Sequence, residues 1–221
     1  MMRHLPLLAA LILIAIVPVE GATQVTTPDP EALPHATAPL GLTTVPLPDT
    51  MGEIETGFAA LPPTIAGVAQ GDWIEVSDRI QVPYGGEAPA SGHPMVLAAI
   101  SFEWSDFFPA DFTAGDYVTM ALATDEAESS AGGRDGELAW VRAEISVGVA
   151  DKPGTPEVSG TLYTLSWGDI DGGLLYTASA DSPERLEALV SAFVTTFGGS
   201  TATPTPGASP TATGGTGMVS T

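Results

Sequence analysis

The segment Ser101 to Phe112, SFEWSDFFPADF, is where this sequence packs chemistry-bearing residues most densely. Glu103, Asp106 and Asp111 interleave with Trp104, Phe107, Phe108 and Phe112. Aromatic faces beside carboxylates bind sugars by stacking, and cationic ligands by charge and by the ring quadrupole. Glu103, Trp104, Asp106 and Asp111 are therefore the candidate ligand-binding residues. The competing reading is structural. Phe and Trp at this density ordinarily build a core, with the acids turned out to water.

Other chemistries find less support. Histidine occurs only at His4, His35 and His93, and only His93 lies in the central region, in ASGHPM near Ser91. A hydrolytic triad needs a nucleophile and a base brought together by the fold, and no G-x-S-x-G elbow is present. No catalytic residue is assigned. Cysteine is absent and H-E-x-x-H does not occur, so the nitrogen and sulfur ligands usual for zinc are missing, and neither a metal nor a cofactor is expected.

Hard cations would find oxygen ligands in Asp125, Glu126, Glu128 and Asp135, or in Asp169 and Asp171 of GDIDGG. GDIDGG lacks the spacing and the closing Glu of an EF-hand, and Asp with Gly makes a tight turn unaided. Paired carboxylates also run glycoside hydrolysis, which keeps an extracellular carboxylate-dependent hydrolase as an alternative. The glycine pairs are not followed by the lysine or helix that a phosphate cradle requires.

Charge narrows the partners. Asp and Glu number 27 against 6 Lys and Arg, for a formal net charge of −21. The acids are ordinary in number; the basic residues are few. The resulting negative field repels phosphate backbones and anionic headgroups, so nucleic acid is not an expected partner. A protein, a glycan or a small ligand is. Without cysteine there is no disulfide and no lipid-modified cysteine, and without asparagine there is no N-glycosylation acceptor.

The elements that must position these residues follow from periodicity. Glu137 to Val149 alternates Ala139, Val141, Ala143, Ile145, Val147 and Val149 against Arg142, Glu144 and Ser146, which predicts a strand. Val158 to Trp167 and Leu174 to Ala180 predict two more, joined as an antiparallel hairpin through Gly168 to Gly173. Asp72 to Tyr84 predicts a strand or a bent pair of strands, with Ile74, Val76, Ile80, Val82 and Tyr84 in one apolar row interrupted at Asp78. Met95 to Trp104 repeats the alternation, with Val96, Ala98, Ile100, Phe102 and Trp104 in register. Asp116 to Thr124 reads as a strand or a short helix.

Helices are fewer. Ser182 is placed to cap a helix, Pro183 suits its first turn, and Leu186, Leu189, Val190, Phe193, Val194 and Phe197 form one stripe, with Gly198 as a left-handed stop. Met51 to Ala60 predicts a shorter helix broken by Pro62 and Pro63. The fold class expected is α+β: an antiparallel sheet packed by a C-terminal amphipathic helix, with disordered flanks at both ends.

Address comes from Leu5 to Val19. Arg3 precedes this apolar run, which is too short for a membrane span and fits a secretory signal with a cut before Ala22. The organisation expected is a signal over 1–21, a Pro/Thr-rich solvated linker over 22–48, one domain over 49–199 and a disordered Thr/Pro/Gly-rich tail over 200–221. No membrane span is expected once the signal is cut. The protein then reads as a secreted or extracytoplasmic, non-enzymatic binding or interaction module, with an envelope stalk component as a further alternative. Mass spectrometry of the protein from a secreting host should find Ala22 at the N-terminus; an intact Leu5 to Val19 would make that run an anchor.

Overall fold

Strand-forming alternation recurs through the middle of the chain, and it assembles a main antiparallel sheet followed by a capped helix. The computed structural model describes residues 33–85, 95–105, 107–109, 111–124, 129–149 and 158–199. The expectations placed on the export signal, on Ser91 and His93, on Asp106, on Asp125, Glu126 and Glu128, and on the tail past Gly199 lie outside those residues.

In chain order a 3₁₀ helix (Pro39–Thr44) is followed by α1 (Met51–Ala59) and a small ribbon, β1 (Thr64–Ile65) with β2 (Val68–Ala69). Then come β3 (Ile74–Val76), β4 (Arg79–Tyr84), β5 (Met95–Ser101) and α2 (Ala114–Ala123). The meander β6 (Ser129–Asp135), β7 (Leu138–Val149), β8 (Val158–Asp169) and β9 (Leu174–Ala180) leads into α3 (Pro183–Gly198). Seven strands pair in the order β3-β4-β5-β9-β8-β7-β6, each antiparallel to its neighbours. The fold is thus α+β with a C-terminal helix, as expected.

Strand β5 sits in the interior of the sheet, and all of its residues are buried. Met95, Leu97 and Ala99 face the larger core with Ile80, Val82 and Tyr84 of β4. Into that core α3 inserts Leu186, Leu189, Val190, Phe193 and Phe197, while Val194 is only half-buried. The Ser182 side chain accepts from the Arg185 N–H at 3.3 Å, the expected N-cap. The left-handed stop at Gly198 is corrected. The helix runs through Gly198, and Gly199 keeps right-handed angles (φ −76°) while its N–H donates to the Thr195 carbonyl.

On the other face, the ambiguous segment is a helix. In α2 the Thr113 side chain accepts from the Asp116 N–H and the Asp116 carboxylate accepts from the Thr113 N–H, a capping box that overrides the weak alternation. Val118 packs on Ala139 and Val141 of β7. The first turn of α2 approaches the sheet so closely that a Cβ on Gly168 would lie 2.6 Å from the Ala114 Cβ and 2.5 Å from the Leu174 carbonyl oxygen. Beside it Phe102 is buried with Phe108 and Phe112 edge-on, at ring centroid distances of 4.9 and 5.0 Å.

Two further expectations are corrected. Ile74 pairs with Gln81, Glu75 with Ile80 and Val76 with Arg79. Cross-strand partners share a face, so Glu75 joins Ile80, while Ile74 and Val76 lie on the opposite side. The hairpin turn at Ser77 and Asp78 reverses the phase that a single continuous strand would have kept. Likewise β5 ends at Ser101, where the Phe102 N–H leaves to donate to the Gly173 carbonyl at 2.8 Å, so Trp104 is not part of the strand.

The described part of the expected linker, residues 33–48, is not a solvated tether: Leu33, Leu42 and Val45 are buried. Aromatic donors hold the backbone, with Trp140 Nε1 donating to the Ala36 carbonyl and the Tyr176 hydroxyl to the Pro48 carbonyl, each at 3.0 Å. Replacing Phe193 by Ala should cost about 3–5 kcal/mol of unfolding free energy in denaturant titration. A near-neutral result would mean that α3 does not cover this face.

Candidate functional site

Three chain segments converge at one end of the sheet. The strap of residues 33–48 ends there, and the β6–β7 and β8–β9 turns project alongside it. Between them lies a cavity of about 550 Å³. Its apolar wall comes from Leu42, Val45, Leu47, Leu138, Leu174 and Tyr176, and its acids are Asp49, Asp135, Glu137 and Asp169. Among the described residues neither lysine nor arginine lines it.

Local folding explains why carboxylates collect there. Asp169 Oδ1 accepts from the Asp171 N–H at 3.0 Å, an Asx turn that starts the β8–β9 connection. GDIDGG is therefore turn chemistry, as its composition suggests. Asp135 Oδ2 accepts from the Ala38 N–H at 2.9 Å and ties the strap to the end of β6. Each bond uses one oxygen of its carboxylate. Of the sequence's candidate cation ligands, Asp135 and Asp169 meet in this cavity, and Asp171 is not among its lining residues. Among the described residues no group of three or more His, Asp or Glu side chains is arranged to hold a metal ion.

Tyr176 joins the cavity to the core. Its ring stacks on Trp167 at 5.9 Å and leans on Phe193 at 5.2 Å, while its hydroxyl reaches the Pro48 carbonyl. Burial pushes the phenol well above the usual tyrosine value, and the negative charges of Asp49 and Glu53 push it further. It therefore stays a neutral donor.

A second groove, of about 380 Å³, opens at the same end of the sheet. Met51 and Glu55 of α1 form one side, and Glu75, Val76, Ser77 and Ile80 of the β3–β4 hairpin the other, with Trp104 as a wall. Trp104 is 53% exposed. The candidate residues thus separate. Trp104 lines this groove, Glu103 is exposed beside it in sequence, Asp111 is exposed and lines neither cavity, and Asp106 lies outside the described residues. The aromatic cluster divides as well: Phe102, Phe108 and Phe112 pack together, whereas Phe107 stays in solvent with Trp104.

Sequence reasoning missed Glu55, Glu75, Asp49 and Glu137. The one available signal was position, since Asp49 stands just before a helix and Glu137 in a strand-to-strand turn. Among the described residues no helix is long and apolar enough to cross a membrane. Comparison with known protein families, with curated proteins and with solved structures finds no match to this chain.

Tyr176→Phe should lower stability at neutral pH by about 0.5–1.5 kcal/mol, by removing the bond to Pro48. Because the folded-state value is raised, the tyrosine contribution is full below its ordinary value of 10.0 and is lost as pH climbs above it. The stability gap between the parent and Tyr176→Phe should narrow above that pH; a gap that stays constant would show that burial of the phenol does not govern it.

Proposed function

We propose that this protein is an exported, non-enzymatic binding module whose cavity takes a small ligand with a cationic group and an apolar body. The observation that carries this reading is the lining: four carboxylates and an apolar wall, without a lysine or arginine among the described residues, around about 550 Å³. That volume falls within the ~300–1,000 Å³ of small-molecule sites. An amine or guanidinium would meet Asp49, Asp135, Glu137 and Asp169, while its apolar portion lies against Leu47, Leu138 and Leu174. The negative field of the whole chain draws such a ligand in from a distance.

Binding is favoured over carboxylate hydrolysis by the surroundings of these acids. Hydrolysis needs one carboxyl held in apolar surroundings as a proton donor. Asp49, Glu137 and Asp169 are exposed, and Asp135 is half-buried and already bonded to the strap. Binding needs only their charge. The supporting role of the export signal is to place the module where it meets ligands outside the membrane.

Calorimetric titration with alkyl- and aryl-amines, the matching carboxylic acids and neutral oligosaccharides tests the reading. The amines should bind, more weakly as salt is raised. Asp49→Asn with Glu137→Gln should weaken them roughly five- to thirtyfold, as two exposed charges contribute about 0.5–1 kcal/mol each. Equal affinity for the carboxylic acids, or oligosaccharide binding that ignores the double variant, would overturn it.

A further inference from the structure

The two edges of the sheet are treated differently. At the β6 edge the strap runs alongside: the Ala36 N–H donates to the Arg134 carbonyl at 3.0 Å, and the Arg134 N–H donates to the Pro34 carbonyl at 2.8 Å. The strap thus takes up both backbone groups of Arg134 on that edge. At the other edge β3 has β4 as its only strand neighbour among the described residues. Edge strands are usually blunted by charged side chains, proline or a bulge, and β3 reads Ile-Glu-Val, with Glu75 as its one charge and no proline. Its protection is brevity and that single carboxylate. Ile74 and Val76 are 36% and 45% exposed, and Trp73 beside them is 37% exposed.

We propose that β3 and its adjoining groove dock an extended basic segment of another protein, which adds a strand to the sheet and sets alternate lysine or arginine side chains against Glu75, Glu55 and Trp104. Strand addition supplies affinity through the main chain and selects by alternate side chains. A chain laid beside β3 places every second side chain on the face that carries Glu75. Ile80 lies on that face, and the groove there is bordered by Glu55 of α1 and the exposed Trp104. Two carboxylates and an indole face are complementary to an ammonium or guanidinium group. The intervening side chains fall on the face of Ile74 and Val76, which suits aliphatic residues. The motif recognised is therefore an alternation of basic and apolar residues.

Charge selects this occupant over others. Among the described residues the groove is lined by Glu55 and Glu75 without a lysine or arginine, and Arg79 at the start of β4 is held by Asp78 at 3.1 Å. A second copy of a chain with net charge −21 would bring like charge to the same edge, and an anionic membrane would be repelled.

Fluorescence anisotropy of the full chain with a labelled peptide alternating arginine and valine tests the proposal. The comparison peptides are a block isomer of the same composition, an alternating glutamate–valine peptide, and an alternating peptide with proline in place of valine. The arginine–valine peptide should bind saturably, and the block isomer, glutamate and proline peptides should bind at least several-fold more weakly. Trp104→Ala, at an exposed position, should weaken binding roughly tenfold. Glu55→Gln with Glu75→Gln should weaken it comparably. Asp49→Asn with Glu137→Gln, which alters only the cavity, should leave peptide binding unchanged, so failure of one reading is separable from failure of the other. Equal binding of the block or proline peptide would overturn strand addition, and indifference to Trp104→Ala would overturn the groove. A concentration-dependent dimer abolished by Trp104→Ala, or binding to zwitterionic vesicles through Trp104, would reassign the surface and overturn the proposal.

Discussion

Strand β5 leaves no face to water, and that constraint organises the molecule. An interior strand buried along its whole length requires a covering layer on each side of the sheet. α3, α1 and the strap provide one layer, and α2 with the phenylalanines of the β5–α2 connection provides part of the other. The two layers differ in character. The first is a large aromatic core in which Trp167, Tyr176, Phe193 and Phe197 stack in sequence. The second depends on close approach: Gly168 lacks the Cβ that would hold the first turn of α2 away from the sheet.

Covering the sheet with an irregular strap, rather than with a third helix, creates the cavity. A strap must satisfy its own backbone, and it does so with donors that rise from the sheet at Trp140, Tyr176 and the Arg134 N–H. Between these fixed points it cannot fill the space over the strand turns. The turns themselves need Asp and Gly to close, which brings carboxylates to the space left open. Apolar walls and acidic rim thus come from the same compromise between covering a sheet end and turning a chain.

Legibility in the sequence tracks how local each determinant is. The helix α3 was plain because its cap, first-turn proline and stripe all lie within its own residues. The β7, β8 and β9 strands were plain for a similar reason, with period two sustained and a turn between them made of Asp and Gly. The phase of Ile74 and Val76 was hidden because a hairpin turn leaves the apolar spacing of the letters unchanged while reversing the face. The strap was hidden because Leu42 and Val45 are buried in the core that α3 covers, and proline-rich composition is silent about such partners. Trp104 stood out by composition, yet the acids that share its groove, Glu55 and Glu75, come from elements far away in sequence. A site assembled by tertiary contact shows only its most unusual member to a reader of letters.

The strap also accounts for the asymmetry of the edges. Through Pro34 and Ala36 it satisfies the backbone N–H and carbonyl of Arg134 on the β6 edge, and the same segment walls the cavity a few residues later. The opposite edge has no such partner among the described residues, although a three-residue strand is too short to template a long run of pairing. Short length protects against indiscriminate association while leaving room for a partner whose side chains add to the main-chain bonds. Trp104 and the groove acids stand where those side chains would fall. In an acidic chain that discriminates by sign of charge, an open edge of this kind is selective rather than merely exposed.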